Sequence, residues 1–375
     1  MSSPSPHLYQ KAAVAAGTEA SVARRAGAAS RDIQAMGAFP VLTLRHLAHE
    51  TGTSYGYLRS IVERRLDDYQ SIRRMKSDGT HRLISAPSPA LMGVQRWILE
   101  NSLNSLPRHP SSYAYHRGIG IRQCAELHVG SRWLVKMDLH NFFGEIREDR
   151  VYQVFRQLNY PALLSFEMAR ICTRLNGRDP FVQAVARGVE AYDDGRLGRL
   201  PQGAPSSGAL ANRVATSLDV DLQRLADASG FVYSRYSDDL TFSSPASFSR
   251  PEGVRLISSV SRAIGLAGFE PHKRKTRLVP PGSRKVVLGL LVSDDGVKLL
   301  PEFRRQTQNH IRAAGKFGIQ LHSSRRGFDS VLSMVNHVDG RLAFAYGIDP
   351  EWTKPAMRAW AEALEMSGYP TVAKA

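Results

Sequence analysis

Three things are scarce in this chain: cysteine, long apolar runs and acid. Each scarcity removes a class of protein. Two cysteines in 375 residues, Cys124 and Cys172, stand far apart. They support neither a disulfide framework nor a cysteine-based zinc site, and they fit a reducing, cytoplasmic setting. No continuous apolar stretch is long enough to cross a bilayer, so no membrane partner is expected. The first residues lack a charged segment leading into an apolar core, so no secretory signal is read there. Aspartate and glutamate number 34 against 50 lysines and arginines, a net charge of +16. An excess of that size, with a pI near 10.1, implies a polyanionic partner, and nucleic acid comes first. A chain of this length buries a large core and divides into two or three subdomains.

What is present centres on Phe231-Val-Tyr-Ser-Arg-Tyr-Ser-Asp-Asp-Leu-Thr-Phe-Ser-Ser244. Two runs of aromatic and β-branched residues flank a polar Ser-Asp-Asp, which reads as a β-hairpin with Asp238 and Asp239 at its tip. An Asp-Asp pair on its own can be no more than a turn. Here Trp133-Leu-Val-Lys-Met137 reads as a buried strand that delivers a third carboxylate, Asp138, at its end. Carboxylates gathered at strand ends repel one another, and divalent cations relieve the repulsion. Two such ions about 3.5–4 Å apart activate a hydroxyl and stabilise a leaving oxygen in phosphoryl transfer. Oxygen ligands favour Mg²⁺. Asp219 and Asp221 form another pair, but within a helical stretch, and are read as a solvated face.

Along the chain, residues 1–40 are rich in Ala, Ser and Gly and read as a flexible or weakly helical basic extension. Residues 41–66 show two short helical patterns that could touch nucleic acid or simply cap the next domain. Residues 69–87 carry Arg73, Arg74, Lys76 and Arg82 around Asp78-Gly79, a basic strand–turn–strand. Helices are expected at 90–106, 148–173, 206–228 and 251–267, with loops at 111–122 and 176–200. Val286–Val292 reads as one strand turning at Asp294-Asp295-Gly296, and 301–371 as several helices. Pro201-Gln-Gly-Ala-Pro205 precedes the 206–228 helix; Gly203 permits close backbone approach, and Gln202 can both donate and accept hydrogen bonds. Of Phe142 and Phe143, one is expected in the core.

Taken together these stretches resemble the reverse transcriptase family. Tyr236-Ser-Asp-Asp239 matches its Tyr-x-Asp-Asp box, Met137-Asp-Leu-His-Asn-Phe-Phe143 its first aspartate box, and Pro201-Gln-Gly-Ala-Pro-Ser-Ser207 the box between them, in the family's order. The chain looks most like the bacterial retron type. That type has an Asn-Ala-x-x-His element, here Cys124-Ala-Glu-Leu-His128, and a Val-Thr-Gly element, here Val287-Leu-Gly289. Cys124 and Leu288 depart from the pattern and bear on how the partner RNA is read; Gly208 also stands where proline is common after the Gln-Gly box.

The resemblance implies an α+β right-hand polymerase fold, with fingers, a ferredoxin-like palm and a helical thumb. Fingers and palm would span 41–285, and the thumb with an RNA-binding C-terminal region 286–375. It implies Asp138, Asp238 and Asp239 as catalytic, metal-binding residues for two Mg²⁺ ions. Phe143 would be the aromatic gate under the nucleotide sugar, with Gln202, Arg82 and Lys76 as further nucleotide contacts. Lys275 would be a candidate proton donor to pyrophosphate, with RNA contact as its alternative. His128, Arg304, Arg305 and Arg312 would bind RNA. The implied activity is copying part of a cognate structured noncoding RNA into a branched RNA–DNA molecule (msDNA), primed from an internal guanosine 2′-hydroxyl. The partners would be that RNA and its DNA product, deoxynucleoside triphosphates and an effector protein, within antiphage defence. The alternatives are a diversity-generating, intron-related or abortive-infection reverse transcriptase, and an idle palm that only binds structured RNA.

Overall fold

The computed structural model describes residues 11, 14, 15, 17–75, 79, 81–175, 197–246 and 248–369, without the side chain of Arg82. Lys76 and most of the expected 176–200 loop therefore lie outside the described residues. Of the two readings of the N-terminal stretch, residues 20–35 take the helical one. Helix α1, Ala20–Ala35, buries Ala23, Gly27, Ser30 and Ile33 along one stripe, and Ile33 joins the main core. Its alanines favour helix, and the stripe supplies the packing that a flexible extension would lack. Helices α2 (Leu44–Glu50) and α3 (Tyr55–Val62) are each capped by a hydroxyl: Thr43 accepts from His46 N–H and Ser54 from Tyr57 N–H. Both put their leucines, Ile61 and Val62 into the same core, so the pair caps the domain behind it.

Strands β1 (Tyr69–Met75) and β2 (His81–Pro87) pair antiparallel as the expected basic hairpin, Met75 opposite His81. Helix α4 (Pro89–Asn101) starts on a Ser88 cap with proline in its first turn and buries Leu91, Val94 and Ile98. After the short helix α5 (Ile121–Glu126) comes β3 (Trp133–Asp138). Helices α6 (Phe142–Glu145), α7 (Glu148–Gln157) and α8 (Ala162–Cys172) follow, then α9 (Ser207–Val214) and α10 (Thr216–Ala228), divided at Ala215. Strands β4 (Val232–Tyr236) and β5 (Asp239–Ser244) form the expected hairpin; α11 (Arg250–Leu266) and β6 (Arg277–Val279) complete the central unit.

The central sheet has the order β4-β5-β3-β6, with every neighbouring pair antiparallel. Because side chains alternate along a strand, the sheet has two characters. Val135, Met137, Tyr233, Leu240 and Phe242 point into the main core with the helices. The other face carries Asp138, Ser234, Asp239, Thr241 and Ser243.

The 286–292 segment is not one strand. Leu288 (φ 49°) and Gly289 (φ 79°) turn the chain, giving β7 (Lys285–Val287) and β8 (Leu290–Ser293), with β9 (Gly296–Leu299) beyond. Two successive left-handed residues make the turn that suits a tight hairpin. Val287, Leu290, Val292 and Leu299 pack on Ala125 and Leu134 of the central unit and on Ala345 and Ile348. The last four helices, α12 (Pro301–Phe317), α13 (Ile319–Arg325), α14 (Val331–Tyr346) and α15 (Pro350–Met366), share a separate core around Met334, Val338 and Trp360.

Candidate active site

The three carboxylates meet at one end of the central sheet. Asp138 is the last residue of β3 and pairs in register with Asp239, the first of β5. The Asp238 carbonyl accepts from Leu139 N–H at 2.9 Å, which fixes the hairpin tip against the end of β3. Ser237, at φ 60°, makes the tight reversal. Burial, reinforced by the Asp138 charge, raises the Asp238 carboxyl above its ordinary value. Burial and then Asp238 push Asp239 up to about 6, against the pull of Lys136 on the same sheet face.

Lys275 Nζ donates to Asp138 Oδ2 at 2.8 Å. Partial burial lowers the Lys275 ammonium, but the Asp138 hydrogen bond and the three carboxylate charges outweigh it and leave it above the usual lysine value. With Lys136 on the same sheet face, the half-exposed ammonium sets two positive charges against three negative ones. The donor set is all oxygen, and its protonation equilibria are displaced in the direction a cation would reverse, so these residues fit a hard divalent ion. Among the described residues no group of three His, Cys, Asp or Glu side chains is placed to hold a metal ion, so waters and substrate oxygens would complete the coordination. An open carboxylate site suits Mg²⁺, which keeps waters and takes up substrate phosphates.

The flanking aromatics divide their roles. Phe142 is buried against Phe269 (ring centroids 5.5 Å apart), while Phe143 is half-buried and faces Tyr115. The Gln202 carbonyl accepts from Ser85 N–H at 2.7 Å, so the Pro-Gln-Gly loop docks on β2. Gly203 (φ 116°) is required there, because a Cβ would lie 2.7 Å from Ile84 Cγ2. Arg174 reaches Ser71 and Ser85 at 2.9 and 3.0 Å and holds the β1–β2 hairpin over this loop. The backbone of Arg82 lies on that hairpin, three residues before Ser85.

Three expectations are corrected. His128 is 0% exposed and cannot meet RNA. Its Nδ1 lies 2.7 Å from Ser243 Oγ and its Nε2 2.7 Å from Ser234 Oγ, so it ties together both strands of the Asp238–Asp239 hairpin. Burial lowers its pKa to about 4, and it is neutral. Arg304 is engaged by Asp349 and lies over the Trp352 ring, so it staples α12 to α15; Arg305 and Arg312 remain exposed. Asp219 is no solvated face. It and Arg235 are both 0% exposed and form a two-point ion pair at 2.7 and 2.6 Å. Asp219 also accepts from Tyr233 O–H at 2.8 Å. Arg235 donates further to Asn212 Oδ1, the Ser237 carbonyl and Ser112 Oγ, at 2.9, 3.1 and 3.1 Å. This network holds the Ser237-Asp238-Asp239 turn from below. A signal for it existed: Asp219 falls one turn after Ala215 and three residues before Leu222, on the apolar stripe of its helix.

A carboxylate cluster at the open end of an antiparallel sheet, backed by helices, faced by a basic hairpin and followed by a helical bundle, defines a right-hand nucleic-acid polymerase, an α+β fold. Residues 74–300 match the family described as reverse transcriptase (RNA-dependent DNA polymerase). The chain is 33% identical over 325 residues to the retron Mx162 reverse transcriptase of Myxococcus xanthus, covering 81% of this chain and 63% of that protein. It is 32% identical to the retron Mx65 enzyme of the same organism, covering 82% and 69%. It is 30% identical to the retron Ec86 reverse transcriptase of Escherichia coli, covering 72% of each. Among solved structures, a foamy viral protease-reverse transcriptase in complex with double-stranded DNA covers 78% of this chain and 38% of its own, at 17% identity and a TM-score of 0.42. The chain belongs to the reverse transcriptase family, on its bacterial retron side. That family is one of enzymes that use divalent metal ions. No helix among the described residues is long and apolar enough to cross a membrane.

Proposed function

We propose that this chain is an RNA-directed DNA polymerase that copies part of a cognate structured noncoding RNA into branched RNA–DNA. The observation that carries the reading is the convergence of Asp138, Asp238 and Asp239 at one sheet end, where Lys275 donates to Asp138. The reaction joins a primer hydroxyl to the α-phosphorus of a deoxynucleoside triphosphate and releases pyrophosphate. The first hydroxyl is the 2′-hydroxyl of an internal guanosine, and each later one the 3′-hydroxyl just added. Asp138 and Asp238 would hold two Mg²⁺ ions, with Asp239 beside them; bound there, the ions supply charge that lowers the hydroxyl's pKa and steadies the leaving oxygen.

The chain's own residues supply position and exclusion. Lys275 moves between the Asp138 carboxylate and the triphosphate, where its ammonium offsets charge on the departing pyrophosphate. Phe143 packs under the sugar and crowds a 2′-hydroxyl. Gln202, on a loop anchored to β2, contacts the nucleotide, and Arg82 with Lys76 brings positive charge to the triphosphate. Residues 41–285 act as fingers and palm, and 286–375 as thumb, where Arg305 and Arg312 meet RNA phosphates. An effector protein and a role in antiphage defence complete the reading and rest on the likeness to retron enzymes.

Primer extension on an RNA template with Mg²⁺, run with wild type and Asp238→Asn, tests the activity. Wild type should extend, and the variant should bind RNA equally but make no DNA. Extension by Asp238→Asn near the wild-type rate sinks the metal role. Sequencing nucleic acid that co-purifies with the protein tests the rest: a recurrent structured RNA joined to DNA is expected, and generic RNA alone would rule out the retron programme.

A further inference from the structure

None of these roles uses Tyr115, although it stands where the catalytic turn, the Phe143 ring and helix α9 meet. Its backbone is left-handed, φ 63°. For a bulky residue that conformation is strained and persists only where the surroundings impose it. They do so from both sides. Arg235 N–H donates to the Ser111 carbonyl at 2.7 Å and Tyr113 N–H to the Arg235 carbonyl at 2.9 Å, which lays the segment along the free edge of β4. Beyond, Asn212 Nδ2 donates to the Ala114 carbonyl at 2.7 Å and lies 3.2 Å from His116 Nε2.

The side chain makes three contacts. The ring meets Phe143 edge-on, with centroids 6.0 Å apart and planes at 67°. It fills the space over Gly208, where an added Cβ would lie 2.5 Å from Tyr115 Cγ. The phenolic oxygen lies 2.8 Å from Ser237 Oγ, on the turn residue just before Asp238. Yet Tyr115 remains 50% exposed.

We propose that Tyr115 is a positioning residue that couples the Phe143 aromatic to the catalytic turn. Its ring braces Phe143 against the nucleotide sugar, and its hydroxyl holds Ser237, and through it Asp238. Sugar discrimination then depends on the ring and turnover on the hydroxyl. Gly208 is the complement that leaves room for the ring.

The inference rests on Phe143 lying beside the sugar, so Phe143→Ala belongs in the test. Single-nucleotide extension, with a deoxynucleotide and with the matching ribonucleotide, yields kcat and KM for each variant. Tyr115→Phe should lower kcat by about three- to tenfold, the worth of one hydrogen bond, with KM and sugar preference unchanged. Ser237→Ala should do the same, and the double variant should be no worse than either single one. Gly208→Ala, which displaces the ring and with it the hydroxyl, should relax sugar preference by roughly tenfold and also lower kcat. Tyr115→Leu replaces it if that variant does not fold. A merely structural tyrosine would lower Tm and the active fraction, and leave both the kcat–KM split and the sugar preference unmoved. If Phe143→Ala relaxes the preference while the Tyr115, Ser237 and Gly208 variants keep wild-type values, the coupling is overturned and the Phe143 reading stands. If active Phe143→Ala keeps the preference, the reading of Phe143 fails, and with it the ring half of the coupling. The Ser237 cycle then decides the hydroxyl half.

Discussion

Replacing Asp219 by alanine should be among the most destabilising single changes in the palm, although the residue touches no substrate. The change leaves the Arg235 guanidinium, which is 0% exposed, without its counter-charge. Removing one partner of a buried ion pair costs roughly 3–5 kcal/mol. The stranded Tyr233 hydroxyl carries a penalty of about 1–3 kcal/mol, which overlaps with the first because both belong to one network. Set against a typical total of about 5–15 kcal/mol, the loss is a large fraction of the stability. Urea unfolding followed by tryptophan fluorescence should show a clear fall in midpoint at unchanged slope. The companion variant, Asp219→Leu with Arg235→Met, removes both charges and keeps the volume, and should regain most of the stability. Its DNA synthesis should stay depressed, because the Ser237 carbonyl loses the Arg235 donor that now lies 3.1 Å away. An Asp219→Ala midpoint within about 1 kcal/mol of wild type would refute the energetic reasoning. A double variant with wild-type turnover would refute the link from this ion pair to the catalytic turn.

Phe143→Ala should admit ribonucleotides at a rate within about tenfold of deoxynucleotides, read by gel extension; a folded, active variant with unchanged preference removes the gate role. Neutralising Arg305 and Arg312 should weaken RNA binding and reduce the slope of log affinity against log salt by roughly 1.5, while a generic annealed primer–template is extended almost normally. Arg304 is left out of that variant because its pairing with Asp349 confounds binding with folding; an unchanged slope would move the RNA site elsewhere. His128, at about 4 in the fold and near 6.5 when unfolded, leaves stability at its full value above about pH 6.5, and protonation of the unfolded chain below that lowers it by up to about 3 kcal/mol. The loss develops as pH falls through the window toward 4, so His128→Gln should flatten the acid limb of a plot of midpoint against pH. An acid limb identical to wild type would show that the ring is not held neutral.

Most local elements and the class of chemistry were legible in the residues alone, although the 286–292 run proved to be two strands and the 206–228 helix is divided at Ala215. Alternation in Phe231–Ser244 specified a hairpin, and the run before Asp138 specified a buried strand, because strand periodicity is written in adjacent residues. The order of the short boxes marked the family. Only the tertiary structure decided which polar residues face inward. Asp219 and Asp221 look alike in sequence, but packing buries the first beneath the catalytic turn and leaves the second in solvent. His128 is enclosed by two strands that lie more than a hundred residues further along the chain. Arg304 and Arg305 are neighbours in a basic run, yet one is spent on Asp349 while the other is free to meet a phosphate. Tyr115 sits in a stretch that reads only as a loop, and it gains meaning where Arg235 draws that loop along β4. These assignments depend on contacts between residues remote in sequence. Local composition does not encode them, because the energy of a buried charge or hydroxyl is set by the partner the fold brings to it.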